Sequence, residues 1–214
     1  MENKTSSRKG PLIQIIEVGL GIWVRSQCKS INKIDISLGG SNYKILSGRI
    51  SSVSIIAEQV NYKDLILKEV NLISGPLALN IDLSNKNQKI TFREKFNVEG
   101  NISLTSKGLK EIILSTQWEW IGQWLAINLL GVSSLQSIEI DGDILKLKGS
   151  DADKDVSTKS EFDIEAKLGT LCFNNKTKDE FSLLPMDQSI HINHAIIKDD
   201  KALISLSAVV SPYS

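Results

Sequence analysis

The side chains that most often carry out chemistry are few in this chain, and they form no recognised site. His191 and His194 are the only histidines; they lie three residues apart on a predicted strand, so we expect them on opposite faces and unable to bind one ion. Asp151, Asp153 and Asp155 resemble the start of a calcium-binding loop, but the glycine and the distal glutamate of that motif are missing. The sequence therefore predicts a solvated acidic loop over residues 149–160, with no metal and no cofactor.

Nucleophiles and phosphate ligands also lack a motif. Cys28 and Cys172 are the only cysteines and share no spacing pattern, which favours two buried or idle thiols. There is no glycine-rich phosphate loop, no nucleophile elbow and no Cys/His pair at ligand spacing. We therefore predict that the protein is not an enzyme.

The charge of the chain is balanced overall but uneven along its length. Lys and Arg total 25, as do Asp and Glu, so composition gives no reason to expect a nucleic-acid partner. Before Asp35, however, six basic residues stand against two acidic ones, a net charge of +4. Each Lys or Arg near an anionic membrane contributes about 1 kcal/mol of attraction. This asymmetry predicts contact with an anionic membrane surface through Arg8, Lys9 and Arg25.

The segment that carries this charge divides into a tail and a helix. Residues 1–10 are polar and predicted to be a disordered tail, whereas residues 11–214 are predicted to form a single domain. Pro11 suits the first position of a helix, and the apolar residues that follow fill a broad arc ending near Trp23. Two interpretations stay open: a helix packed in the core, or an interfacial helix whose Trp23 inserts into lipid.

Targeting and membrane-spanning signals are missing from the sequence as given. Gln14 and Glu17 interrupt the N-terminal apolar run, and no cleavage site of small residues follows. No segment approaches the roughly 18 uncharged apolar residues of a membrane span. The sequence thus predicts a cytoplasmic protein that is at most peripheral to a membrane.

Residues 45–83 read as three consecutive strands joined by short turns. Apolar and polar residues alternate, and the connections are too short for crossover helices, so we expect an antiparallel meander. The alternation slips by one residue between Leu67 and Val70, near Lys68 and Glu69. A bulge that absorbs this slip would bend the strand, which predicts a curved sheet.

The rest of the chain adds two helices and further strands. A first helix is predicted from a cap at Thr105 or Ser106 to Ser115, and a tryptophan-rich one follows and ends at Gly131. The predicted class is α+β, with a strongly curved antiparallel sheet packed around the N-terminal helix and this helical pair. Such a sheet can form an apolar groove, whose candidate lining residues are Leu65, Leu67, Leu79, Ile81, Trp120 and Trp124.

Four stretches resemble one family: RSQ at 25–27, ILSGRI at 45–50, the spaced apolar run from Val60 to Leu67, and the strand–helix–helix at 96–130. They are similar to the LmeA-like phospholipid-binding proteins over roughly residues 11–148, and KLGTLCF at 167–173 is consistent with them. The resemblance implies a fold related to tubular lipid-binding domains, in which a curved sheet wraps a helix beside an apolar groove. It implies a phospholipid ligand and carries over no catalytic residues.

Two functions follow from the sequence. The first is non-enzymatic binding of a phospholipid or another amphipathic lipid in the groove, with contact at a membrane surface. The second is a non-enzymatic interaction module whose sheet is filled by its own helices and which holds no ligand. The volume of the apolar cavity discriminates between them.

Overall fold

The computed structural model describes residues 10–82, 89–151 and 156–212 and confirms the α+β class. Within those ranges the helices are α1 (Pro11–Ser26), α2 (Asn42–Leu46), α3 (Ser106–Leu114) and α4 (Glu119–Leu125), and α4 continues as a π-helical segment, Ala126–Leu130. The strands are β1 (Ser30–Gly39), β2 (Arg49–Ile50), β3 (Ser52–Tyr62), β4 (Leu65–Ser74), β5 (Leu77–Asp82), β6 (Lys89–Phe92), β7 (Phe96–Thr105), β8 (Ser134–Asp141), β9 (Ile144–Asp151), β10 (Val156–Lys167), β11 (Thr170–Asn175), β12 (Phe181–Leu183), β13 (Ile190–Lys198) and β14 (Lys201–Val210).

The described strands form three antiparallel sheets. The largest has the order β1-β3-β4-β7-β14-β13, a second has the order β12-β11-β10-β9-β8, and a small one has the order β2-β5-β6. The six-stranded sheet ends in the edge strands β1 and β13, so it stays open, as expected for a curved sheet. Its strands come from both ends of the chain, because β7 pairs with β14 in a continuous ladder from Thr105–Lys201 to Phe96–Val210.

The predicted three-stranded meander is correct for its first pair and wrong for its third strand. β3 and β4 pair as expected, but β5 pairs with β2 and β6, and β7 takes the position beside β4. The chain leaves the large sheet at Gly75, whose N–H donates to Asn97 O at 2.8 Å. Pro76 follows and has no N–H with which to continue a ladder.

The predicted slip in β4 is present, but no strand carries an extra residue. Leu67 and Val70 are both buried although they differ in phase. The β3–β4 register is the same on both sides of the slip, with Glu58 opposite Glu69 and Val60 opposite Leu67. Between these pairs lies Gln59, whose φ of +52° turns the backbone. The irregularity therefore keeps apolar side chains on one face, as a bulge would, without inserting a residue.

The acidic stretch predicted as a long loop is mostly a strand pair. β9 and β10 pair up to Asp151 and Val156, so the loop prediction is wrong for most of its length. Asp151 Oδ1 accepts a hydrogen bond from Ser133 N at 3.1 Å, whereas Asp153 and Asp155 lie outside the described residues. In the described part of the chain, no three His, Cys, Asp or Glu side chains are grouped closely enough to hold a metal ion.

The expectation that His191 and His194 face opposite sides is wrong. The register of β13 shifts between Ile192 and His194, and this bulge adds one residue between the two histidines. Both imidazoles consequently occupy exposed positions, while Ile192 and Ala195 point into the core.

The predicted helices are confirmed. Pro11 begins α1, and the Thr105 side chain caps α3 by accepting from Gly108 N at 3.4 Å. The tryptophan-rich helix ends at Gly131, whose φ of +67° places it in the left-handed region that glycine adopts without strain.

Two apolar clusters share the six-stranded sheet. The first lies between that sheet, the five-stranded sheet and α3 and α4; the second lies between the sheet, α1, α2 and the small sheet. Ile34 on β1 packs against both clusters. The sheet is therefore covered by different elements at its two ends, and the space where the two coverings meet is where a cavity can form.

Candidate functional site

An apolar cavity of about 310 Å³ lies beneath the C-terminal half of α1, on the face of the six-stranded sheet where the two clusters meet. This volume is near the lower end of the range of roughly 300–1,000 Å³ that is usual for small-molecule sites. Its lining comes from α1, the small sheet and four strands of the large sheet. The lining residues are Leu20, Trp23, Val24, Val53, Ile55, Leu72, Ser74, Leu77, Phe92, Phe96, Val98, Leu206, Ala208 and Val210.

The floor of the cavity consists of rows of cross-strand neighbours. Ladder partners form one row across four strands, Ile55–Leu72–Gly100–Leu206, and the next row runs Ser74–Val98–Ala208. Side chains on alternate positions of a strand share a face, so β14 presents every second residue to the cavity. The floor is thus set by the long-range pairing of β7 with β14.

Gly100 has no side chain in the middle of the first row, and its neighbour Leu72 packs over it. A Cβ atom at this position would lie 2.2 Å from Leu72 Cδ2 and 2.9 Å from Asn71 O. Leu72 therefore occupies the space above the glycine backbone.

The wall opposite the sheet is aromatic. The Trp23 ring of α1 meets the Phe92 ring of β6 edge-on with centroids 5.3 Å apart, and Phe92 contacts Phe96 at 4.7 Å. Such pairs add about 0.5–1.5 kcal/mol beyond the area they bury. They join α1 to the small sheet and keep that side of the cavity in place.

The chemistry that the cavity can offer is burial. Ser74 contributes the one polar side chain among the lining residues, and its hydroxyl oxygen accepts a hydrogen bond from Val53 N at 2.8 Å. No lining residue carries a carboxylate, imidazole, thiol or amine. The arrangement suits a flexible aliphatic chain, which needs apolar contact and no directed hydrogen bond.

Comparison with known protein families agrees with this geometry. A family model described as LmeA-like phospholipid-binding matches residues 11–188. The chain belongs to this family. The match covers all the helices and most of the strands of this LmeA-like chain. It includes α1, which lies over the cavity, and β3, β4 and β7, which form part of the cavity floor. No curated protein and no solved structure matches it.

The residues predicted to line a groove in this LmeA-like chain lie in separate places. Leu67 is buried in the first cluster, and Leu65 packs against it, at the opposite end of β4 from the cavity. Leu79 is buried in the second cluster beside the cavity and is not among its lining residues. Ile81 lies on β5 opposite Ile90, and its side chain is outside the described residues.

The tryptophans of α4 are also distant from the cavity. Trp124 packs on Phe173 with ring centroids 5.8 Å apart, as part of the first cluster. Trp120 is exposed. Trp118, just before α4, donates its indole N–H to Lys63 O at 2.7 Å. A ligand contact at Trp120 or Trp124 stays a prediction that the cavity described above does not require.

The residues predicted to face a membrane are divided between two environments. Trp23 lies on the inner side of α1 and lines the cavity, so in this conformation its ring faces the protein. Arg25 is exposed, and its Nη1 donates to Ile31 O at 2.9 Å. Arg8 and Lys9 lie outside the described residues. None of the helices in the described part of the chain is long and apolar enough to cross a bilayer.

Shifted ionisable groups of this family member lie away from the cavity. Burial raises the pKa of the Cys28 thiol, and burial with a smaller contribution from Glu165 raises that of Cys172. Lys110 lowers the pKa of the Glu139 carboxyl through a surface hydrogen bond and charge attraction. These shifts come from ordinary burial and surface pairing, and none of these groups lines the apolar space.

None of the six residues predicted to line a groove is among the lining residues of this cavity, and Trp23, which is, was predicted to face a membrane. The sequence shows the strict alternation of β14, with the small Ala208 among larger residues. It does not show which strand lies beside β14. The partners of β14 on β7 lie about a hundred residues earlier in the chain, and no local pattern specifies such a pairing. Phe92 and Phe96, four residues apart, were the clearest local signal of an aromatic wall.

Proposed function

We propose that the protein binds the acyl part of a phospholipid, or of another amphipathic lipid, in this cavity without catalysing a reaction. The observation that carries the proposal is an apolar space of about 310 Å³ whose single polar side chain already has a backbone donor. Membership of a phospholipid-binding family supports the same ligand class.

The size of the cavity limits the affinity that apolar burial can supply. A water molecule occupies about 30 Å³ of liquid, so the space corresponds to roughly ten waters or a similar number of methylene groups. Burial contributes about 0.8 kcal/mol per methylene, hence roughly 8 kcal/mol for one chain segment. Association costs at least about 4 kcal/mol of that gain, which leaves about 4 kcal/mol at most, or a dissociation constant of about 1 mM from apolar burial alone. Contacts of the head group or of a second chain would add to it.

The alternative, a filled interaction module without a ligand, is disfavoured by the same volume. An apolar recess of this volume leaves apolar surface open to water, which is unfavourable unless a ligand covers it. A chain selected only for a packed core would have a larger residue than Ala208 at the floor of this space.

We also propose that the protein contacts an anionic membrane surface, because a lipid ligand has to be taken from or delivered to a bilayer. The first fifty residues contain eight basic and three acidic residues, a net charge of +5, and the remaining residues carry the balancing −5. An anionic surface would attract the end of the molecule that contains α1, and salt would weaken that attraction.

Filling the cavity tests the proposal. Ala208→Trp places an indole in the space, whereas Val209→Trp adds the same group to the next residue of β14, whose side chain is exposed on the other face. We expect purified wild-type protein and Val209→Trp to carry phospholipid in native mass spectra. Both should also bind monomeric cis-parinaric acid. Ala208→Trp should bind this fluorescent fatty acid at least about tenfold more weakly, because the indole takes the place of several methylenes.

Two results would contradict the proposal. Equal binding by Ala208→Trp and the wild type, at equal melting temperatures, would show that the cavity is not the site. A wild-type protein that carries no lipid and binds no fatty acid would favour the module without a ligand.

A further inference from the structure

Helix α1 has apolar side chains on two nearly opposite sides. Because an α-helix turns about 100° per residue, Ile13, Ile16 and Leu20 share one side, and all three are buried. The second side holds Ile15, Val18 and Ile22, which are 47 %, 63 % and 61 % exposed. We call these three residues the outer stripe. The inner side is explained by the second cluster, and the outer stripe has no counterpart in the described part of the chain.

The segments outside the described residues are short and polar in sequence. Their apolar members are Met1, Leu83, Ala152 and Tyr213. Three large aliphatic side chains in line along a helix are unusual for a surface that faces only water, and contiguous exposed apolar residues typically mark an interaction site.

Exposed basic residues on α1 and on the elements that follow it favour an anionic partner. Arg25 lies beside the stripe on α1, and α2, which packs against α1, exposes Lys44; Arg49 follows on β2 and is also exposed. Lys29 and Lys33 are already paired with Asp64 and Glu58. An apolar stripe flanked by basic residues is typical of helices that lie in the interface of an anionic membrane, with Lys and Arg at the level of the head groups.

The opposite side of the same helix forms the cavity wall. Leu20, Trp23 and Val24 line the cavity, and Ile22 of the outer stripe lies between them in sequence. A helix of this kind is only about 10 Å wide, so a bilayer that contacts its outer side is within one helix diameter of the cavity.

We propose that the outer stripe of α1 inserts into the surface of an anionic phospholipid bilayer, and that lipid passes between bilayer and cavity only while this contact is made. The inference rests on the proposed lipid-binding function and adds the surface through which the ligand is exchanged. Trp23 stays in the cavity wall, and the inserted side chains are Ile15, Val18 and Ile22.

Serine substitutions separate this surface from the cavity. The variant Ile15→Ser/Val18→Ser/Ile22→Ser keeps the helix, because serine and isoleucine have similar helix propensities and the three sites are exposed. The matched control is Ile56→Ser/Ile73→Ser, which removes two half-exposed isoleucines from the outer face of the large sheet. All proteins are tested for melting temperature and for co-sedimentation with vesicles of phosphatidylcholine and phosphatidylglycerol. Extraction of a fluorescent phospholipid from those vesicles and binding of monomeric cis-parinaric acid are measured in parallel.

We expect the outer-stripe variant to bind vesicles roughly a thousandfold more weakly, since each of the three inserted side chains contributes about tenfold. Its extraction of lipid should fall in parallel, while its binding of the monomeric fatty acid should equal that of the wild type. The control variant should match the wild type in every assay. Vesicles without phosphatidylglycerol, or high salt, should weaken binding of the wild type.

Several results would overturn the inference while leaving the cavity function intact. One is an outer-stripe variant that still binds vesicles and extracts lipid. Another is a wild-type protein that does not bind vesicles but forms a dimer through the outer stripe. Loss of fatty-acid binding in the stripe variant at an unchanged melting temperature would also overturn it, because the stripe would then act on the cavity itself. Failure of the proposed function is a separate result: Ala208→Trp and the wild type would bind the fatty acid equally.

Discussion

Leu79 is the residue whose replacement tests the packing beneath α1 and α2 most directly. It is 1 % exposed in the second cluster, and its N–H donates to Gly48 O at 2.8 Å. Leu79→Ala removes the side chain and leaves a cavity, which costs about 2–5 kcal/mol in comparable cores. Leu79→Asp loses the same contacts and buries an unpaired carboxylate, so its cost should be several kcal/mol larger.

Urea unfolding and thermal unfolding, both monitored by circular dichroism, measure these differences in stability. For a chain of this length each kcal/mol shifts the melting temperature by roughly 2–4 °C, so Leu79→Ala should melt about 5–15 °C lower. The buried carboxyl has a raised pKa in the folded state, since burial disfavours its charged form. The extra penalty of Leu79→Asp over Leu79→Ala should therefore shrink as pH falls from 7 toward the unfolded value near 4.

Leu46 supplies the control, because it lies on α2 in the same region and is exposed. Leu46→Ala and Leu46→Asp should change the free energy of unfolding by no more than about 0.5 kcal/mol. If Leu79→Asp unfolds at the same urea concentration as the wild type, the position of β5 in the second cluster is incorrect.

Two further predictions concern backbone approach and thiol burial. Gly48 has φ +78°, and a Cβ there would lie 2.4 Å from Leu79 O, so Gly48→Ala should lose roughly 2–4 kcal/mol in urea unfolding. Gly142→Ala, at φ +61° with no atom within 4 Å, should lose only about 1 kcal/mol, and equal losses would contradict the close contact. Burial raises the pKa of both thiols, so in the native protein a thiol reagent at pH 8 should modify Cys28 slowly and Cys172 only on unfolding. Because the folded pKa values are raised, the stability that these thiols contribute should be lost as pH rises above about 9. Modification of native Cys172 at the rate of a free thiol would be the contrary result.

The sequence by itself determined the features that depend on neighbouring residues. Pro11 and Gly131 mark helix ends because one lacks an N–H and the other adopts a left-handed backbone without strain. Alternation along β14 predicts a strand with one buried face, and the slip between Leu67 and Val70 locates the irregularity beside Gln59. The absence of a catalytic motif and the family resemblance likewise come from the sequence, and the family is confirmed by the match over residues 11–188.

Only the tertiary structure decided which faces meet. β5 leaves the meander for a small sheet, and β7 pairs with β14 across about a hundred residues; no local propensity specifies either pairing. The cavity exists because α1 and β6 cover the large sheet near Phe96 but leave Leu206 and Ala208 only partly covered. The broad apolar arc of α1 was compatible with a core helix or with an interfacial one. In the folded protein Leu20 is buried against the sheet and Val18 is exposed to solvent. A helix that packs on a sheet can bury only the side that faces the sheet.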